Sequence, residues 1–329
     1  MATATKKQRV RAALAGEPVD RPPVSLWGHD FLREWTAGDL VASTLDAYRP
    51  YDWDFIKFNP RATYFAEAWG NRYEPPAEQR QPALVSHAVS MADDLLSLQP
   101  ADIGDGVFGE HLHALSMLMR ATDGVDVLHT VFSPLAVAAQ LCGTPDAFLG
   151  LAKDAPDGLH AALRTLARTL AAYARAGVEA GASGVFFAPL IWASHDHASD
   201  EFYVTFGRPY DLEVLDAAQG APFNVLHVCR NHNMLTSLLD YPVSAFNWAD
   251  HGAGNPALQE IRSRTGRAVM GGIDHATLHT ASPAEVAAQA REAMSLVGTG
   301  LFVTGGCAIP PSTPAENRRA VFEAVRQAG

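Results

Sequence analysis

The sequence is poor in cysteine, with only Cys142, Cys229 and Cys307 in 329 residues. An odd, sparse set makes a poor disulfide framework and fits a reducing compartment, where such residues bind metal, do chemistry or lie buried. Also missing is any run of about 18 uncharged apolar residues, so no membrane span is expected. The N-terminus has no apolar core of a secretory signal, and a cytoplasmic location is the expectation. Basic charge is scarce: 25 lysines and arginines face 36 acidic residues, for a formal net charge of −11. Nucleic-acid binding draws on concentrated basic surface, so a phosphate-backbone partner is excluded. The short basic group Lys6, Lys7, Arg9 and Arg11 reads as the solvated face of one N-terminal helix. No GxGxxG or GxxxxGKS/T motif stands at a strand-to-helix turn, which removes the main support for a nucleotide-binding fold. Linkers, internal repeats and low-complexity segments are absent too, so residues 1–329 read as a single domain.

What the chain does have is apolar residues, 48% against 19% charged, enough for a large core. Eight short segments rich in Val, Ile and Phe recur at 23–28, 55–59, 125–132, 184–189, 223–229, 245–250, 268–274 and 300–306. Runs of that kind suit strands of a buried parallel sheet. Helical patterns separate them. Leu159, Leu163, Leu166, Leu170 and Tyr173 recur as one stripe. Ser282-Pro283-Ala284-Glu285 reads as an N-cap, a first-turn proline and a capping-box glutamate, and Thr313-Pro314-Ala315-Glu316 repeats the device. Eight alternations predict an α/β fold closed as a single (β/α)8 TIM barrel. Residues 61–124 are too long for one crossover and predict an insertion between strands two and three, a helix or hairpin beside the mouth.

In such a barrel, chemistry sits at the C-terminal ends of the strands. The fifth segment ends in His227-Val228-Cys229, and strand alternation puts the histidine and the cysteine on one face. The eighth segment runs out at Cys307, and the sixth at Asp250 and His251. Two thiolates and an imidazole converging there suit a tetrahedral zinc; a buried structural Cys–His cluster is the other reading of the same residues. His29 ends the first segment and faces either substrate or core. Asp274 and His275 end the seventh, in position for substrate contact. The stretch His195-Asp196-His197 reads as a polar lid loop rather than a second metal site, and Cys142 as packing.

Two longer stretches carry a resemblance. The segment Arg11-Ala12-Ala13-Leu14-Ala15-Gly16-Glu17-Pro18-Val19-Asp20-Arg21-Pro22-Pro23-Val24 resembles the N-terminal signature of the uroporphyrinogen decarboxylase superfamily. Residues Gly306-Cys307-Ala308-Ile309-Pro310-Pro311-Ser312-Thr313-Pro314-Ala315-Glu316-Asn317 resemble the C-terminal signature of one branch, the zinc-dependent methylcobamide:thiol methyltransferases of the coenzyme M type. The metal motif of that branch is HxC followed by a distant cysteine. The resemblance therefore implies a zinc ion on His227, Cys229 and Cys307, with Asp250, His251 or water as the exchangeable fourth ligand. It implies a small-molecule thiol acceptor bound to the metal and a methylcobamide donor on a separate corrinoid protein. Asp250, His29 and Asp274 are the catalytic candidates.

Departures from the decarboxylase pattern point the same way. The loop after the first segment, Trp27-Gly28-His29-Asp30-Phe31-Leu32-Arg33, holds one arginine where the decarboxylase has several to grip a substrate with eight carboxylates. The second segment ends in Phe58-Asn59-Pro60-Arg61 and lacks the decarboxylase aspartate. A uroporphyrinogen decarboxylase-like lyase acting on a smaller carboxylic acid is the alternative function.

Overall fold

Strands that are apolar on both faces need cover on both sides, and here helices give it from outside a parallel sheet. The computed structural model describes residues 4–122 and 124–328. Its strands are β1 (Phe55–Phe58), β2 (Arg72–Glu74), β3 (Ala83–Ser86), β4 (Asp126–Phe132), β5 (Gly184–Ala188), β6 (Val225–Val228), β7 (Ala245–Trp248), β8 (Ala268–Ile273) and β9 (Leu301–Gly305). Seven of them form one parallel sheet in the order β1-β4-β5-β6-β7-β8-β9. β2 and β3 make a separate antiparallel hairpin.

The two edges of the sheet are brought together by residues 23–28. On one side Val24 bridges Val303 and Gly28 bridges Ile309, both parallel. On the other, the Asp54 amide donates to the Val24 carbonyl at 2.9 Å. The Ser25 hydroxyl donates to the Phe55 carbonyl at 2.8 Å and the Asn59 side-chain amide to the Gly28 carbonyl at 2.9 Å. The expected first strand is thus a segment held by isolated bridges and a few hydrogen bonds, because Pro23 brings no N–H to a ladder and the Val24 amide is taken by the Asp54 carboxylate. Trp27, Phe55, Leu128, Phe186, Met270 and Phe302 pack into one cluster inside the curl. The outward residues of the same strands pack under the helices in two further clusters, one holding Ile56, Phe58 and Val127 and the other Val131, Phe187, Val269 and Val303.

Those helices follow from local signals. In the helix Pro156–Glu179, Leu159, Leu163, Leu166, Leu170 and Tyr173 are all fully buried. At about 1.5–3 kcal/mol for each such side chain, this stripe rather than intrinsic propensity anchors the helix. Ser282 caps Pro283–Val297 with the full reciprocal box to Glu285. Thr313 does not repeat that device. Its hydroxyl is spent on the Pro310 carbonyl at 2.7 Å, and the helix Ala315–Arg326 starts after Pro314 without a side-chain cap.

Arg9 also departs from expectation. It is buried rather than solvated, since Asp20 and Asp54 draw it inward at 2.7 and 3.2 Å. Arg21 joins Asp54, and the Asp54 carboxylate accepts the Val24 amide at 2.9 Å. These charges stitch the first helix, residues 23–28 and the foot of β1 together. Part of the N-terminal signature is therefore a structural clasp.

Between β1 and β4 the chain makes the β2–β3 hairpin and the helices Tyr64–Glu67, Ala92–Ser97 and Gly106–Ala121. Gln79, between the hairpin strands, accepts from the Phe31 amide and donates to Asp30.

On β4, His129 faces outward against Tyr173 and Gly177 of the long helix. A Cβ at Gly177 would lie 2.2 Å from the imidazole, so only glycine fits there. Both ring nitrogens of His129 lack a hydrogen-bond partner, and burial pulls its pKa down to about 3. Its neighbour His111 bonds the Tyr173 hydroxyl and is lowered in the same way, chiefly by burial.

No single helix among the described residues is long and apolar enough to cross a membrane.

Candidate metal centre

Alternation on the strands decides which side chains meet at the mouth. Counting inward from Val225 on β6 gives His227 and then Cys229; the inward residue on β7 is Asn247, and beyond β9 comes Cys307. The structure brings His227, Cys229 and Cys307 to one cavity of about 810 Å³. The Cys307 sulfur is 3.6 Å from Nε2 of His227, and the Cys229 thiol lies beside it.

The orientation of His227 is fixed. Nδ2 of Asn247 donates to the Met270 and Gly305 carbonyls at 3.0 and 3.1 Å, which determines which way its amide faces. Oδ1 therefore points at Nδ1 of His227, 2.6 Å away, and Nδ1 must carry the proton. Nε2 keeps its lone pair, aimed at Cys307. Phe186 stacks on the ring at 5.0 Å and holds its plane.

The two thiols are hydrogen-bonded to each other. The hydrogen bond from Cys229 holds Cys307 well below the ordinary thiol value, against the opposing effect of burial and with help from His227. Cys229 is pushed up by the same bond and by its own burial.

These residues suit zinc in donor type and in spacing. Sulfur at about 2.3 Å and nitrogen at about 2.0 Å from a tetrahedral zinc stand about 3.5 Å apart, close to the observed Cys307–His227 separation. An imidazole whose far nitrogen is held by a carbonyl-type oxygen is also the usual partner arrangement of a metal-binding histidine. Among the described residues no closed cluster of three or more such side chains is preassembled.

The remaining sequence candidates are placed differently. Asp250 is not brought to the cavity. Alternation from Asn247 puts Ala249 inward and Asp250 outward, where its carboxylate accepts the Gly272 amide at 2.9 Å. Its other oxygen is buried without a partner, and burial raises the group to about 6. His251 does line the cavity and stands 3.6 Å from Asp250. Asp274 lines it too, but its carboxylate is engaged with the Ala276 amide at 3.0 Å and the Thr277 hydroxyl at 2.7 Å.

His29 faces the cavity with Nδ1 on the buried Glu34 carboxylate, at 2.9 and 3.0 Å. His195 and His197 lie exposed, with Asp196 bonded to His232 at 2.8 Å. Cys142 is buried at a helix end, its thiol donating to the Ala138 carbonyl at 3.3 Å.

Three residues escaped the sequence reading, Asn247, Lys57 and Glu34. Asn247 and Lys57 are polar positions on the inward face of apolar strands, and that alternation was the available signal. Lys57 lies 4.9 Å from the Phe186 ring centre, and burial lowers it to about 7 against the pull of Cys307 and Glu34. Glu34 carries no local signal. His275, expected with Asp274 in position for substrate contact, is brought to the cavity. It lies near Cys307 and is lowered by burial, with Cys307 and Asp274 opposing.

The chain belongs to the uroporphyrinogen decarboxylase (URO-D) family, whose profile matches residues 5–328. In fold it is similar to a methyltransferase from Methanosarcina mazei, with a TM-score of 0.84, 24% identity and 98% of each chain covered. It is also similar to a B12-independent methionine synthase from Shewanella sp. W3-18-1 in complex with selenomethionine. That likeness has a TM-score of 0.57, 17% identity, and covers 94% of this chain and 92% of the other. A comparison with curated protein sequences finds no match.

Proposed function

We propose that this chain is a zinc-dependent methyltransferase that moves a methyl group from a methyl-corrinoid, carried by a separate protein, to a thiol acceptor. The observation that carries the reading is the Asn247-locked His227, whose free Nε2 faces the Cys307 sulfur at the foot of a large cavity. The similarity to a methyltransferase fold supports it. We read residues 23–28 and the seven sheet strands as the eight staves of one (β/α)8 barrel domain, with the hairpin and its flanking helices as an insertion between the second and third staves.

His227, Cys229 and Cys307 would hold the metal. Bound there, zinc supplies the positive charge that keeps an acceptor sulfur as thiolate at neutral pH. Asn247 keeps the imidazole in the ligating tautomer. His29, with Nδ1 engaged by Glu34, has Nε2 free to take the proton the acceptor thiol gives up. Asp250 is turned to the β8 backbone, so His251 or water is the better fourth ligand. The apolar wall of Trp27, Phe186 and Ile309 keeps water from the sulfur.

The test is transfer from free methylcobalamin to a panel of thiols by zinc-loaded protein, followed by the loss of the methylcobalamin visible band. Zinc-dependent formation of thioether is the expected result. Thiol-independent decarboxylation of a small acid by metal-free protein would replace this reading with the lyase.

A further inference from the structure

The mouth cavity has two unlike sides. Besides the three candidate ligands, its titratable side chains are His29, Lys57, Arg230, His251, Asp274 and His275, all from before residue 60 or after residue 226. Among the described residues, the span between contributes only uncharged side chains to the lining. Phe132, Ala136, Ala139, Leu190, Ile191 and Trp192 form its apolar part, a lobe over the ends of β4 and β5. Phe186, on the inner face of β5, lines the cavity and stacks on His227, so the lobe opens directly onto the metal ligands.

Ala136, Ala139 and Gln140 share one face of the helix Pro134–Leu141, and the two alanines leave room that larger side chains would fill. Leu190 follows β5 with a φ of 55°, a backbone region in which a leucine is strained. That turn lays Leu190 and Ile191, both half-buried, along the opening. Behind the lobe the wall is fixed: Phe148 meets Trp192 edge-on at 4.7 Å, and Phe65 stacks on Phe132 at 4.4 Å. Water against such a wall finds few hydrogen-bond partners, and hydrocarbon displaces it favourably. The cavity's volume of about 810 Å³ is far more than the smallest thiols would fill and suits a larger organic molecule. On the polar side the charges answer one another. Cys307 and Glu34 draw on the Lys57 ammonium, Glu34 holds His29, and Asp274 closes its own turn. A ligand therefore need bring no charge of its own.

We propose that the acceptor is a thiol with an uncharged hydrocarbon body, which lies in the lobe against Ala139, Leu190 and Ile191 while its sulfur passes Phe186 to reach Cys307 and His227. The assignment rests on the thiol-acceptor reading and names its substrate class. The corrinoid of that reading is carried by another protein and meets the sulfur from outside the mouth, which leaves the lobe to the acceptor.

Calorimetric titration of the purified full-length protein, without methyl donor, tests this with ethanethiol, 1-butanethiol and 1-hexanethiol, and with 1-hexanol as a probe that carries no sulfur. Affinity is expected to rise about fourfold for each methylene taken into the lobe, the fold-change that corresponds to burying one such group. 1-Hexanol should bind too and compete with 1-hexanethiol for a single site. Ala139→Phe fills the lobe and should flatten the rise. Ile191→Ser, at a half-buried loop position that the fold tolerates more readily, removes part of the apolar wall and should lessen it. A flat series in the wild type, or a rise that both substitutions leave unchanged, overturns the proposal. Hexanol binding needs neither metal nor methyl donor, so its dependence on Ile191 upholds the lobe even if transfer fails. Zinc-dependent transfer with the same KM for ethanethiol and 1-hexanethiol would leave the transfer reading standing and remove the lobe alone.

Discussion

His227 and His129 sit on strands of the same sheet, and both are buried, yet they have opposite fates. His227 points inward and has one nitrogen committed to Asn247 and the other free toward Cys307. His129 points outward into the helix layer, where neither nitrogen has a partner and Gly177 leaves it just enough room. Burial alone therefore says nothing about function. A histidine becomes a ligand when a second residue decides its tautomer and a cavity receives its lone pair. Without these, it is a neutral core residue whose protonation opposes the fold.

The sharpest way to break this contrast is to remove the sulfur that His227 faces. Cys307→Ala and Cys229→Ala should each lose most of the zinc, about one ion per chain in the parent, as elemental analysis would show. A parent protein that takes up no zinc ends the argument for the inward site.

Removing the lock is the next largest effect. Asn247→Leu leaves Nδ1 of His227 without its partner and should lower zinc affinity about 10- to 100-fold, read by competition with a chelator. An unchanged affinity would mean that the tautomer is set by something else. How much of this was legible in advance is clear from the same residues. The HxC pattern and strand alternation put His227 and Cys229 on one face, and the eight apolar segments marked the sheet. Asn247 stayed hidden because a lone asparagine in a strand acquires meaning only from the two carbonyls that β8 and β9 bring to it. Asp250 was read by its chemistry and nearness to the strand end, while alternation turns it outward to the Gly272 amide.

Substituting the outward histidine should affect pH response rather than metal. In the unfolded chain His129 titrates near about 6.5, and in the fold only at about 3. Between those values the unfolded state binds a proton that the folded one refuses. Stability is fully present above about 6.5 and falls as the pH drops through the window. His129→Leu should flatten that fall, seen as a smaller difference in Tm between pH 7.5 and pH 5, with zinc content unchanged. Asp211, raised to about 7 by burial, slopes the opposite way but cancels between variant and parent. An acid sensitivity identical in both proteins would remove His129 from the account of stability.

The smallest effect belongs to Cys142, buried at a helix end and far from any ligand role. Cys142→Ser should keep all its zinc and cost about 1–2 kcal/mol of stability by denaturant titration. Loss of metal in this variant would redraw the ligand set.

The most direct test of the inward site is X-ray absorption at the zinc edge of the loaded protein, before and after saturation with thiol. We expect two sulfur neighbours at about 2.3 Å and at least one nitrogen at about 2.0 Å, with a third sulfur appearing when thiol binds. A zinc shell of oxygen and nitrogen alone, or one that no thiol alters, would contradict a metal held by His227, Cys229 and Cys307 with a place kept for the acceptor.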